Sequence, residues 1–231
     1  MTASIQFGSK QIDFLIEYSA RKSLGITVFP DMIVVAKAPV NTPIEKIKDK
    51  IKKKAPWILK QQSFFLSFQP KTPAKKFISG ESHLYLGRQY RLKIVMCNIE
   101  SVKLKGKFIE VATSDKERAK LLLNGWYLKN ATIKLHAIAQ PLIDDFKKHK
   151  VKPSSIILRE MPTRWGSCTP KGKITLNPEL IKAPKGCIEY VIIHELCHLL
   201  HHDHTQKFLD LQTKKMKDWE KWKMKLEKIM A

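Results

Sequence analysis

Between Ile188 and His204 the chain reads IEYVIIHELCHLLHHDH, and this stretch restricts the fold more than any other. Wound as a helix, at about 100° per residue, it places His198 about 40° around from His194 and one turn along, so both imidazoles project from one side. Glu195 lies at about 100°, beside the histidines but displaced from a ligand position. Ile188, Ile192, Leu196, Leu199 and Leu200 fall at roughly 120–240°, an apolar stripe for burial against the rest of a domain. A helix with an apolar back and an imidazole front requires a rigid body behind it and a cleft before it.

His194, Glu195 and His198 form an HExxH pentad. Two histidines leave a divalent ion under-coordinated, because a catalytic zinc site takes three protein ligands and keeps its remaining position for water. His204 follows His198 by six residues and is the natural third ligand, since Leu199–Asp203 give the chain room to end the helix and swing back over the ion. His201 fits a supporting position, His202 would extend the same face, and Glu220 on a following helix is the rival third ligand. The expected cofactor is Zn2+, with another divalent metal as the alternative. Glu195 is placed to take a proton from a metal-bound water and return it to a leaving group. Peptide hydrolysis is the reaction this arrangement most often serves.

The remaining composition sets bounds on this reading. In 231 residues, 43% are hydrophobic, which supports a packed core and excludes wholesale disorder. No stretch approaches the roughly 18 apolar residues of a membrane span. The opening MTASIQFGSK lacks the basic-then-apolar layout of a signal peptide, so the expected location is cytoplasmic, without membrane association. Cys97, Cys168, Cys187 and Cys197 contain no CxxC pair and are expected to be reduced, small, buried or half-buried residues. The net charge is +22, carried mostly by lysine, with six arginines (Arg21, Arg88, Arg91, Arg118, Arg159, Arg164). Such a field attracts polyanions, and a nucleotide or nucleic acid partner is consistent with it, but it does not choose among them.

No repeat is apparent along the chain. From Gln11 to about Ala36, short alternating runs broken by Gly25 and by Phe29-Pro30-Asp31 predict two or three antiparallel strands. A helix is expected near 43–68 with Pro56 as a kink or a second start, followed by a Pro- and Lys-rich loop over 69–76. Hairpins are expected at Ser82–Met96, turning at Gly87, and at Val102–Ala112. A long helix from an N-cap at Ser114, with Glu117 in capping-box spacing, should run to about His149 and bend or divide at Pro141. Ile156–Leu158 and Lys173–Leu176 read as strands around a loop at Met161–Gly172, and everything after Pro184 reads as helix. The expected class is α+β: a β-rich N-terminal region over 1–113, then a catalytic region over 114–231.

Arg164-Trp165-Gly166-Ser167-Cys168, Ile174-Thr175-Leu176-Asn177, and Ile188 through Leu199 with His204 and Phe208 resemble the YgjP-like metallopeptidases, a zincin family. Ser79-Gly80-Glu81, Tyr85-Leu86-Gly87-Arg88 and Trp57-Ile58 extend the resemblance over nearly the whole chain. It implies a zincin-like C-terminal domain, zinc on His194, His198 and His204, and Glu195 as catalytic base. It also implies that the Arg164–Cys168 loop and the Lys173–Asn177 strand lie beside the active-site helix, with Arg164 and Asn177 on the substrate side. Trp165 and Cys168 are read as packing residues. A metzincin would carry glycine where this chain has His201. Zincins that act on protein crosslinked to DNA share the spacing to His204 and an aromatic near Phe208, but the RWGSC block and the N-terminal match favour the YgjP-like assignment.

Three functions stay open at this point. One is a zinc-dependent peptidase with a peptide or protein substrate. Another is a metal-dependent nucleoside triphosphate pyrophosphatase, an activity also attached to YgjP-like proteins. The last is a basic nucleic-acid-binding module with a structural metal, against which an intact Glu195 argues. Oligomeric state is not legible.

Overall fold

A computed structural model describes residues 2–8, 10–29, 31–66, 75–162 and 164–230. Pro30 of the turn expected near Phe29, the end of the first helix beyond 66, and most of the expected 69–76 loop lie outside the described residues. The chain is α+β and divides into two compact units, Met1–Pro73 and Ala74–Met230.

The first unit contains β1 (Thr2–Phe7), β2 (Lys10–Ser19), β3 (Gly25–Val28), β4 (Val34–Pro39) and α1 (Ile44–Leu66). Ile12, Phe14 and Ile16 alternate along β2 and, with Val34, Ala36 and Ala38 of β4, turn one face of the sheet inward. Ile47, Ile51, Ala55 and Ile58 form the facing stripe of α1 and are wholly buried. This packing carries α1 through Pro56 without a break, so the expected kink is not a division. The sheet order is β1-β2-β4-β3, with β2 and β4 parallel and the outer pairs antiparallel. Of the two or three antiparallel strands expected, β3 and β4 do pair antiparallel, but β2 joins β4 in parallel, because local alternation specifies a strand's faces and not its neighbour.

In the second unit, β5 (Ser82–Tyr85) and β6 (Arg88–Met96) form the expected hairpin, as do β7 (Ser101–Lys105) and β8 (Phe108–Thr113). Their order, β5-β6-β8-β7, again has a parallel central pair, and a long helix, α2 (Ala119–Phe146), follows. The second unit therefore repeats the strand topology of the first, a repeat the sequence does not display. β5–β8 belong to the unit that begins at Ala74, whereas the sequence division at 113 grouped them with the N-terminal strands. Asp115, rather than Ser114, caps the helical region: its Oδ1 accepts from the Glu117 N–H at 2.9 Å. Ala119, Leu123, Tyr127, Ala131, Leu135 and Ala139 lie buried at every fourth position, and this packed stripe keeps α2 continuous through Pro141.

The rest of the unit comprises β9 (Ser155–Leu158), β10 (Gly166–Cys168), β11 (Lys173–Leu176), α3 (Lys185–Cys197), α4 (Gln206–Lys215) and α5 (Trp219–Met230). The three strands form a sheet ordered β10-β11-β9, so β10, inside the segment expected as loop, is an edge strand. The β5–β6 turn docks at the entrance to α3, where Leu86 N–H donates to the Ile181 carbonyl at 2.8 Å and Gly87 N–H to that of Lys182 at 3.1 Å. Gly87 has φ +77°, and a β-carbon there would stand 2.7 Å from Pro184 Cα. Among the cysteines, Cys187 and Cys197 are buried and Cys168 is half-buried, but Cys97 is exposed, unlike the reading of four sheltered thiols. Replacement of Gly87 by alanine combines backbone strain with a clash against main chain. It is expected to lower stability by about 2 kcal/mol or more in denaturant unfolding, whereas Gly106→Ala, at a turn with open space, should cost about 1 kcal/mol.

Candidate metal centre

Ile188, Ile192 and Leu196 are fully buried, as the apolar stripe of α3 requires. The burial goes further: Cys187, Tyr190, Val191, Ile193, Glu195 and Cys197 are also buried, so α3 is a central helix and not the half-solvated one that periodicity suggested. It ends at Cys197 with His198 as its C-cap, and Leu199, Leu200 and His201 N–H groups turn back to the carbonyls of Leu196 and Cys197. The chain then reverses into α4, and His204 Nε2 comes to 3.1 Å from His194 Nε2. One ligand atom from each of His194, His198 and His204 can be chosen so that all lie within 4.8 Å of one another. The ring centroids are 4.8–5.0 Å apart. Phe208, fully buried one turn into α4, sits 4.7–5.0 Å from all three rings and forms their apolar floor. Glu220, the rival ligand, is exposed at the start of α5 and is not in the cluster.

The orientation of the rings is fixed from behind. His198 Nδ1 lies 3.1 Å from the His201 carbonyl, which can only accept, so Nδ1 carries the proton and Nε2 keeps its lone pair. His194 Nδ1 lies 2.9 Å from Oε1 of Gln212, and Gln212 is itself buried, giving His194 the same tautomer. Burial pushes the His194 imidazole down to about 4 and holds His198 below its ordinary value, so both remain neutral at pH 7. Three imidazoles on an apolar floor, two of them neutral with their Nε2 lone pairs fixed from behind, fit a borderline divalent cation. Periodicity missed Gln212 and the main-chain role of His201. The one available signal was Gln212 lying one helical turn after Phe208, a polar group on an apolar face.

Glu195 is 5% exposed, and burial pushes its carboxyl up to about 8 despite the opposing guanidinium of Arg164. Gly166 on β10 makes this approach feasible, because a β-carbon there would lie 2.6 Å from Glu195 Oε1. Arg164, Gly166, Ser167, Cys168 and Pro170 form one side of a cleft of about 480 Å³, with His194, Glu195, His198, His202 and His204 on the other. Arg164 is thus brought to the candidate site and Trp165 packs into the core, while Cys168 both packs and faces the cleft. Asn177 is not in the cleft. Its amide donates to the carbonyls of Met161 (2.9 Å) and Arg164 (3.1 Å), and its Oδ1 accepts from Glu179 N–H (3.1 Å). With 4% of its surface exposed, Asn177 holds the Arg164 loop in place and does not reach toward substrate itself.

The bracing predicts that Gln212→Leu lowers metal affinity by about 10–100-fold in a chelator competition while leaving far-ultraviolet circular dichroism unchanged. His204→Ala should abolish stoichiometric metal binding; retention would point to another third ligand. Glu195 adds a pH effect in the metal-free protein. Its folded-state value of about 8 lies above the ordinary 4.5, so wild-type stability falls as pH rises through that interval. Glu195→Gln has no such proton to lose. Its melting temperature relative to wild type should therefore climb between pH 4.5 and 8, and a flat difference would contradict the buried-carboxyl account.

A model of the YgjP-like metallopeptidase domain matches residues 22–229, spanning all of the site just described. No curated protein matches the chain. Coverage on this scale, together with the convergence of the three histidines, places the protein in the YgjP-like metallopeptidase family.

Proposed function

We propose that the protein is a zinc-dependent peptidase in which Glu195 activates the water that attacks the peptide carbonyl. The observation that carries this reading is the meeting of His194, His198 and His204 beside a buried general base in one cleft. A Zn2+ held by these imidazoles would supply a Lewis acid and lower the pKa of its water towards about 7. Glu195 accepts the proton from the attacking water and delivers it to the leaving amine nitrogen. Its desolvated environment strengthens it as a base, and a dication held by the three histidines would offset that shift by favouring the carboxylate. Arg164, exposed on the opposite wall, supplies positive charge for the oxyanion that develops on the former carbonyl.

The cleft also suits an extended chain. β10 is an edge strand, and its residues Gly166, Ser167 and Cys168 line the cleft, so its outer main-chain groups are available to pair with a substrate strand. The nucleoside triphosphate reading is less well served. Arg164 is the one lysine or arginine among the described lining residues, whereas a triphosphate calls for several. No described helix is long and apolar enough to cross a membrane.

With added zinc, the wild-type protein is expected to cleave unfolded casein or short peptides. Glu195→Gln should retain one metal per chain and lose activity by about 10²–10⁴-fold. Pyrophosphate release from nucleoside triphosphates without proteolysis would overturn the peptidase assignment, and an unchanged rate in Glu195→Gln would remove the carboxylate from the mechanism.

A further inference from the structure

The β5–β8 sheet turns Leu92, Ile109 and Val111 inward and leaves its other face to solvent. That outer face carries Ser82 and Leu84 on β5, Gln89, Arg91, Lys93 and Val95 on β6, Phe108, Glu110 and Ala112 on β8, and Lys103 and Lys105 on β7. The strand register lines Ser82, Arg91, Phe108 and Lys105 across all four strands in one row. Lys107, in the β7–β8 turn, lies beside Arg91 and Phe108, and its carbonyl accepts from Arg91 N–H at 2.9 Å. Ser82, Gln89, Tyr90, Arg91, Lys107 and Phe108 enclose a groove of about 520 Å³.

Two features make this face unlike the diffuse lysine field of the rest of the chain. The first is charge. Glu110 is the one carboxylate among these face positions and is shared by Lys93 and Lys105, while Arg91, Lys103 and Lys107 have no ion-pair partner among the described residues. The second is Phe108, an aromatic ring left 42% exposed between Arg91 and Lys105. The first unit offers an internal comparison, because its sheet has the same strand order. The corresponding outward positions of its central strand β2 are Gln11, Asp13, Leu15 and Glu17, with the acid Asp13 where β6 has Arg91 and the apolar Leu15 where it has Lys93. The topology alone therefore does not produce a basic face.

We propose that this face binds single-stranded nucleic acid, with Phe108 as a stacking platform and Arg91, Lys103, Lys105 and Lys107 along the phosphate backbone. Cations alone would serve any polyanion. An exposed ring flanked by a guanidinium and an ammonium, beside the amide of Gln89 in a groove wide enough for a base, matches the stacking-plus-charge chemistry of single strands. A duplex keeps its bases stacked internally and offers the ring no face.

The test is fluorescence anisotropy of the full chain with labelled oligo(dT) and oligo(U) at fixed salt, in the presence of chelator so that metal chemistry plays no part. Arg91→Glu/Lys107→Glu should weaken binding at least tenfold. Lys50→Glu/Lys53→Glu, an equal charge reversal on exposed positions of α1, should change it less than threefold. Phe108→Ala should weaken binding on the order of tenfold without changing the slope of log affinity against log salt. Phe108→Trp should restore binding and report it by quenching of the indole. Equal losses from both charge reversals would assign binding to net charge and overturn the proposal. So would unaltered affinity in Phe108→Ala, or equal competition by a duplex, by polyglutamate or by anionic vesicles. Circular dichroism melts of each variant separate these outcomes from unfolding.

Discussion

The candidate metal centre depends on holding two imidazoles, those of His194 and His198, uncharged and facing each other and His204. Protonated, they would repel, and each would lose the lone pair that a metal needs. Burial supplies the first safeguard, holding His194 at about 4 and His198 below its usual value. Phe208 supplies the apolar floor, and the Gln212 amide and the His201 carbonyl pin the outer ring nitrogens. The same burial forces the Glu195 carboxyl up to about 8, so one physical device sets the state of both the candidate ligands and the proposed base. The cost falls on the metal-free protein, which holds an ionisable carboxyl away from water.

Positioning then follows from packing on the far side. Because α3 is buried almost all round, it is fixed by α2, α5, α4 and β10 rather than by its own helical propensity. Gly186 lets the indole of Trp222 lie against its backbone, and Gly166 lets β10 lie against Glu195. Asn177 ties the loop that carries Arg164 to the end of β11. Each wall of the cleft is thus held by a contact that only a glycine or a fully used amide permits.

Much of this was legible in the sequence, for identifiable reasons. HExxH spacing is a statement about helix geometry, so His194, Glu195 and His198 could be placed before any coordinates. His204 followed from ligand number, and the two hairpins from Gly87 and Gly106 at their tips. Other features depend on long-range pairing that no local pattern records. The parallel β2–β4 and β6–β8 pairs, the shared topology of the two units and the edge strand β10 are of this kind. Asn177 was assigned to substrate because its position beside the cleft was implied, but three hydrogen bonds within the fold already use its amide. The helices continue through Pro56 and Pro141 because buried stripes outweigh one lost hydrogen bond in each.

The proposed peptidase cleft and the basic sheet face both lie in the second unit. The central claim beneath this remains the metal centre, and X-ray absorption at the zinc edge addresses it directly. The account predicts three nitrogen scatterers at about 2.0–2.1 Å with an oxygen completing the shell. A sulfur scatterer at about 2.3 Å, which would bring Cys168 into the shell, or fewer than three imidazoles, would contradict it.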